Sequence, residues 1–330
     1  ECLPDGKLSF VRAVRRLRAL LRESENPVVV SSGFKADFTA MLARGRESVP
    51  WIAWFHGFTA ATPRVRVYEA LVMRVLKRAQ RVIAICERTQ QKLKSCGLTN
   101  VAVVPNAIDV AAVRSVGDRH SARSQLGISE DELAVGVVSR LSREKGLDVL
   151  LDSAVDVINS HPGVKLILVG DGPVGCALRQ QAEALNISDK ILFTGLREDA
   201  VSLMKGFDVF VLPSLRENVP IALLEAMVCG ISVVATDVGG VREVLDQTSV
   251  EPIAPGSPDA IAKAVSALLD DQTLRRANGA ALAHRVEAFS FERHVSLMEA
   301  IYDEVVLRLA ASATRTEAAC QSGGRPYRGE

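Results

Sequence analysis

Glu217 and Glu225 stand eight residues apart in PSLRENVPIALLEAMVCG (213–230), an E-x7-E spacing. A carboxylate can accept two hydrogen bonds at once, and so can grip a vicinal diol such as that of a sugar or ribose. Pro220 suits the first turn of a helix, which puts Glu217 in the preceding loop and Glu225 within the helix. The loop N–H groups and the helix N-terminus can receive an anion or hydroxyls. A second group lies in SRLSREKGLDVLL (139–151). A strand ends at Ser139 and a helix begins near Gly146, so Arg140 and Lys145 fall at the strand's carboxyl end and in the loop behind it. Two cations there suit a diphosphate. The alternative is two solvated loop charges, and this segment alone does not choose.

A third stretch, LILVGDGPVG (166–175), fits the G-x-G-x-x-G turn that binds NAD or FAD. That fingerprint should end the first strand of its domain, with an acid at the tip of the second. Here Gly170 ends the second strand, and the next strand ends FTG (193–195) with no acid. The better reading is a Gly-rich strand-to-helix turn with no NAD, which leaves an oxidoreductase the weakest alternative. His56 closes the strand WIAWFHG (51–57). A lone histidine there is either structural or functional. His120, His161, His284 and His294 fall in loops or on helices and are read as structural or solvated, and Asp109 as a helix cap.

These groups need strands that end at a common edge. Nine β-branched runs alternate with segments of helix length: 27–33, 51–57, 81–86, 101–106, 133–140, 164–170, 190–195, 208–214 and 231–237. Continuous apolar strands separated by helices mean parallel sheets covered on both faces. The fold class is therefore α/β, with two Rossmann-like domains facing a cleft and ligands at the carboxyl ends of the strands. The boundaries expected are 1–116, 117–294, a C-terminal helix over 295–311 after the second sheet, and a disordered tail over 312–330. The first domain has four strand signals against five in the second, and its first βαβ is expected to be missing from the chain.

The 330 residues are 48% apolar and 24% charged, as in a soluble globular protein. No apolar run approaches the ~20 residues of a membrane span, and no secretory signal is expected. The six cysteines (2, 86, 96, 176, 229, 320) include no C-x-x-C pair, as expected of thiols in a reducing cytosol. Residues 1–116 carry 19 Lys and Arg against 9 Asp and Glu, and residues 117–330 carry 21 against 30. Part of the basic excess lies in FVRAVRRLRALLR (10–22). There Phe10, Val14, Leu17, Leu20 and Leu21 form an apolar stripe flanked by Arg12, Arg15, Arg16, Arg18 and Arg22. The readings are a surface helix with a solvated basic edge, or attraction to anionic lipid or a phosphate-bearing substrate. Nucleic acid is not expected, because no aromatic-rich basic strand accompanies the charge.

With SRLSREKG, VPNAID (104–109), GDGP (170–173) and the WFHG strand end, the E-x7-E frame resembles the retaining glycosyltransferases of family 4, of GT-B fold, from about Pro27 to Phe291. The resemblance implies transfer of a sugar, of hexosyl type, from a UDP- or GDP-linked donor to an acceptor hydroxyl with no metal. It implies that Arg140 and Lys145 hold the diphosphate, Glu225 the ribose and Glu217 the sugar. Asn218, Val219 and Pro220 would line the sugar and phosphate pocket. Gly195 and Leu196, in the 195–197 turn, would lie near the base, and His56 would reach the donor sugar or the reaction centre. Many relatives carry Gly where this chain has Asn218, which tolerates an unusual φ. A glycan or lipid-linked acceptor at the inner membrane face is expected, for cell-surface polysaccharide or glycolipid assembly. The chain would be cytoplasmic and peripheral to that membrane. The alternatives are a noncatalytic nucleotide-sugar-binding fragment and a GT-B relative of different chemistry, such as a sugar-nucleotide epimerase or an inverting transferase.

Overall fold

The computed structural model describes residues 7–45, 49–57 and 63–322. They fall into two units. The first takes the chain up to Val104 and again from Val295; the second is Pro105–His294.

The first unit carries four parallel strands in spatial order β1 (Val29–Ser32), β2 (Trp51–Phe55), β3 (Arg81–Ala84) and β4 (Val101–Val103). β2 and β3 are covered on both faces, which is why they read as unbroken apolar runs, whereas Val30 and Ser32 of β1 are exposed. Trp51, Ala53, Phe55, Val82 and Ala84 meet Ala40, Val72, Leu76 and Leu93 of the helices Phe34–Arg44, Pro63–Leu76 and Glu87–Ser95. On the opposite face Ile52 and Ile83, with Val104, receive Met298, Ile301 and Val305 of the helix Phe291–Ser322. The C-terminal helix expected over 295–311 after the second sheet therefore closes the first one. It also continues to Ser322, into the segment expected to be disordered; residues 323–330 lie outside the described part.

The helix Lys7–Glu23 lies against Phe34–Arg44, where Arg18 Nη2 donates to Leu42 O at 2.7 Å and Nε to Ala43 O at 3.3 Å. Its expected apolar stripe is only partly inward. Phe10 and Leu20 are each 37% exposed, and Ala13 is the buried residue. Arg12, Arg15 and Arg22 face solvent.

The second unit has five parallel strands: β5 (Leu133–Val138), β6 (Val164–Val169), β7 (Ile191–Gly195), β8 (Val209–Leu212) and β9 (Ser232–Ala235). Their spatial order is β7-β6-β5-β8-β9. Val135, Val137, Leu166, Leu168, Val209 and Val211 share one face and pack beneath the helices Leu147–Ser160, Gly175–Ala184 and Pro258–Asp270.

The unit starts earlier than the composition shift near 117. Asn106 Nδ2 donates to Val219 O at 2.8 Å, and Ile108 N to Phe289 O at 2.9 Å. The polar run 117–131 is a packed part of this unit. Asp118 caps the helix Arg119–Leu126, in which Arg123 is 1% exposed. The Arg123 guanidinium donates to Gly206 O at 2.9 Å and to the carbonyls of Ser129 and Glu132, and it pairs with Asp208. A buried cation held this way makes a polar sequence part of a packed domain.

Candidate functional site

The chain runs from β5 outward through β6 to β7, then returns to β8 and leaves by β9 on the other side. The direction reverses between β5 and β8. In open parallel sheets, that reversal opens a crevice at the carboxyl ends of the strands. The loops after β5 and β8 are the two that carry Lys145 and Glu217.

Backbone contacts fasten these loops together. Glu144 O accepts from Leu215 N at 2.8 Å and Arg216 N at 3.2 Å. Gly146 has φ +61°, and a Cβ there would come 2.2 Å from Pro213 O, so only glycine permits the approach. Lys145 Nζ then pairs with Glu217 Oε1, the two side chains being 22% and 11% exposed. Fully buried Ser214 donates to the same oxygen at 3.0 Å, and Thr236 Oγ1 holds Ser214 O at 2.6 Å.

The next residues turn into the helix Ile221–Val228. Pro220 is its N-cap, with φ −73° and ψ 125°, one position ahead of the first turn. Asn218 O accepts from Gly240 N at 2.6 Å, and Val219 O from Asn106. Among the described residues, the N–H groups of Asn218 and Val219 meet no acceptor. The unusual φ considered for Asn218 is not used: the described non-glycine residues with positive φ are Asn26, Asn186 and Gln247. The strained residue is Gly239, at φ +55°, where a Cβ would lie 2.3 Å from Glu217 O.

Glu225 sits in the second turn of this helix. It is half-buried, and no hydrogen bond or ion pair joins its carboxylate to another described residue. Burial pushes its pKa upward. A desolvated acceptor without a protein partner is set to receive donors from a ligand.

Arg140 is exposed just beyond β5, and its guanidinium has no ion-pair partner among the described residues. Its turn is clamped to the Gly-rich one: Leu141 N donates to Asp171 O at 3.0 Å, and Val174 N to Leu141 O at 3.1 Å. A Cβ on Gly170 would lie 1.9 Å from Ser139 O, and one on Gly172 would lie 2.3 Å from Leu141 O. The first two glycines of the fingerprint thus let two protein turns touch. Gly170 N also donates to Gly195 O at 2.9 Å, which carries the rim on to the turn after β7. There Leu196 is 81% exposed, and Arg197 is held by Asp199 at 2.7 Å.

His56 belongs to the first unit. It is exposed at the end of β2, its Nε2 lies 2.7 Å from Ser32 Oγ, and its ring stacks on Trp54. His161 and His120 meet Asp270 and Glu130, and His294 meets Pro105 O, as surface or structural partners do. Asp109 caps its helix through Ala112 N, as expected. Among the described residues, no group of three or more His, Cys, Asp or Glu side chains could hold a metal ion, and no helix is long and apolar enough to cross a membrane.

The loops of the second unit thus bring Lys145, Glu217, Asn218, Val219 and Pro220 together at the strand reversal. Arg140 and Gly195 stand on the rim beside them. Sequence reasoning missed Ser214, Asn106, Gly239 and Ser32. Short polar residues and single glycines carry no local signal of the distant atoms they touch.

The pattern of Glycosyl transferases group 1 matches residues 118–284, half of the chain, and that of Glycosyltransferase Family 4 matches residues 2–112. The chain belongs to the group 1 glycosyltransferases. It is 30% identical over 343 residues to D-inositol 3-phosphate glycosyltransferase of Geodermatophilus obscurus, covering 96% of this chain and 74% of that one. It is 31% identical over 191 residues to N-acetyl-alpha-D-glucosaminyl L-malate synthase of Bacillus anthracis, covering 57% of this chain. The chain spans 50% of the length of the Bacillus anthracis enzyme and 53% of that of 2-deoxystreptamine N-acetyl-D-glucosaminyltransferase of Streptomyces fradiae. Among solved structures, it superposes on Anabaena HepE in complex with UDP with a TM-score of 0.76 at 22% identity, covering 96% of this chain and 84% of that one. Sucrose-phosphate synthase from Thermosynechococcus elongatus gives 0.78 at 22% identity, covering 93% and 81%. These two likenesses establish the GT-B fold for this group 1 chain.

Proposed function

We propose that the chain transfers a hexosyl group from a nucleoside-diphosphate sugar to an acceptor hydroxyl, with retained anomeric configuration. The observation that carries this reading is the meeting of Lys145 with Glu217 at the strand reversal, followed by a helix whose half-buried Glu225 carboxylate meets no other described residue. The site offers cations for a diphosphate, a carboxylate for a diol and a second carboxylate for the sugar.

The barrier is dominated by charge building on the leaving diphosphate. Arg140 and Lys145 oppose that charge, and one preorganised donor of this kind is worth ~3 kcal/mol. Glu217 and the free N–H groups of Asn218 and Val219 orient the sugar and phosphate. Glu225 receives the ribose hydroxyls, and Gly195 and Leu196 border the base. The acceptor attacks the face the diphosphate leaves, and a donor phosphate oxygen helps take its proton. His56 is assigned to the donor sugar or the reacting atoms. No metal is needed in this scheme.

UDP is the favoured donor base, because HepE of the same fold was solved with UDP and with UDP-glucose. The acceptor is a glycan or lipid-linked precursor. Its anionic groups suit the exposed Arg12, Arg15 and Arg22, which would also favour a peripheral place on the inner membrane face. This fits assembly of cell-surface polysaccharide or glycolipid.

A thermal-shift panel of UDP-, GDP- and ADP-sugars, followed by donor turnover with and without a chelator, tests the reading. Stabilisation by one donor class and chelator-resistant turnover are expected. Binding without turnover in the full-length protein would reduce the chain to a nucleotide-sugar-binding module. No binding of any sugar nucleotide would overturn the site.

A further inference from the structure

We propose that Ser32 is the positioning residue for His56: it holds the imidazole by Nε2 and leaves Nδ1 as the nitrogen that meets a ligand. For its bearing on catalysis, this inference rests on the glycosyl-transfer reading above.

The geometry begins with register. Ser32 ends β1 opposite Trp54 of β2. His56 lies two residues beyond Trp54, and the two rings stack with an interplanar angle of 13°. The stack and the 2.7 Å contact from Ser32 Oγ to Nε2 restrain the ring from two sides. Nδ1 has no hydrogen-bond partner among the described residues. Whichever way the shared proton lies, Nε2 is occupied.

The serine is itself held. Ser31, just before it, faces the opposite way and is buried. Its hydroxyl donates to Asp37 Oδ1 at 2.6 Å and accepts from Trp51 Nε1 at 2.8 Å. Gly33, just after it, gives its carbonyl to Asp37 N at 3.0 Å. Asp37 therefore fastens the strand tip on both sides of Ser32. Ser32 is exposed, so packing does not require a hydroxyl there. What the hydroxyl does touch is His56.

The test uses the full chain labelled with 15N in its histidines. His56 signals are identified by their loss in His56→Gln. Ser32→Ala is expected to move the Nε2 shift, while Ser32→Thr, which keeps the hydroxyl, retains it. Ser32→Ala is also expected to lower kcat roughly tenfold with UDP affinity unchanged, and Ser32→Thr to restore it. Unchanged His56 spectra in Ser32→Ala, or Ser32→Thr behaving like Ser32→Ala, would overturn the assignment. If the wild type turns over no nucleotide sugar, the transfer reading fails, and the spectra still decide the role of Ser32.

Discussion

Lys145 reaches across 72 residues of chain to Glu217, and the oxygen it meets is the one Ser214 holds at 3.0 Å. The ammonium is therefore already committed before any diphosphate arrives, and a donor must share it or take it over. On the proposed assignment, Glu217→Ala releases Lys145 for phosphate while removing the group meant to face the sugar. UDP alone should bind Glu217→Ala as well as wild type or better, while the intact UDP-sugar loses affinity. Lys145→Ala should weaken UDP itself by about 10- to 100-fold, the scale of one charge-assisted hydrogen bond. Calorimetric titrations with UDP and a UDP-sugar separate the two variants; equal behaviour toward both ligands would remove the assigned division of labour.

Glu225 gives a pH signature. Burial raises its pKa, and a bound ribose would donate to the ionised carboxylate, so binding favours loss of the proton. Nucleotide affinity should fall as pH is lowered through this raised pKa, starting above the usual carboxylate range. Glu225→Gln should bind weakly and flatten that dependence. A wild-type affinity with no slope between neutral and mildly acidic pH would count against the diol assignment.

Asp37 makes the opposite kind of statement, about stability. Desolvation pushes its carboxyl from 3.8 up to about 6, against the pull of the Ser31 hydrogen bond. Below pH 3.8 the acid is neutral both folded and unfolded. Between 3.8 and about 6 the unfolded chain ionises first, so stability falls as pH rises. Above that window the cost is complete, on the order of 3 kcal/mol. Asp37→Asn should therefore stabilise the first unit at pH 8 and much less at pH 3.5. Both tryptophans of the chain, Trp51 and Trp54, lie in β2, so their fluorescence during urea unfolding reads this unit alone.

The glycines of 170–175 are not equivalent. Alanine at Gly170 or Gly172 would drive a Cβ into a backbone carbonyl, at 1.9 and 2.3 Å, whereas at Gly175 it meets the tip of the Leu141 side chain at 3.3 Å. Gly170→Ala and Gly172→Ala should cost several kcal/mol, and Gly175→Ala under about 1 kcal/mol. Thermal melts of the three variants check the order. If Gly175→Ala proved the most damaging, the turn would be read wrongly.

The nine strands of the described residues were legible as apolar runs, most clearly where burial on both faces leaves an unbroken signature. The cations and carboxylates were legible because they follow strands at fixed offsets. What escaped was partnership. The amphipathic pattern of Met298, Ile301 and Val305 announces a helix and does not name the sheet it covers. Arg123 made a packed segment look like the polar edge of a domain, since a polar letter does not tell a solvated arginine from a buried one. At Asn218 the local rule pointed to the wrong residue, because the strain sits on Gly239, a neighbour in space.

The second unit is one uninterrupted stretch whose ends are tied, Ile108 to Phe289 and Pro105 to His294. The first unit needs Met298, Ile301 and Val305 to cover Ile52 and Ile83. On the ribosome, then, the half translated earlier cannot mature until the later half has emerged. A nascent chain whose residues up to His294 have left the ribosome should already hold a protease-resistant second unit and still expose the first sheet. Synthesis and folding run in opposite order, and the second unit is finished while the first waits.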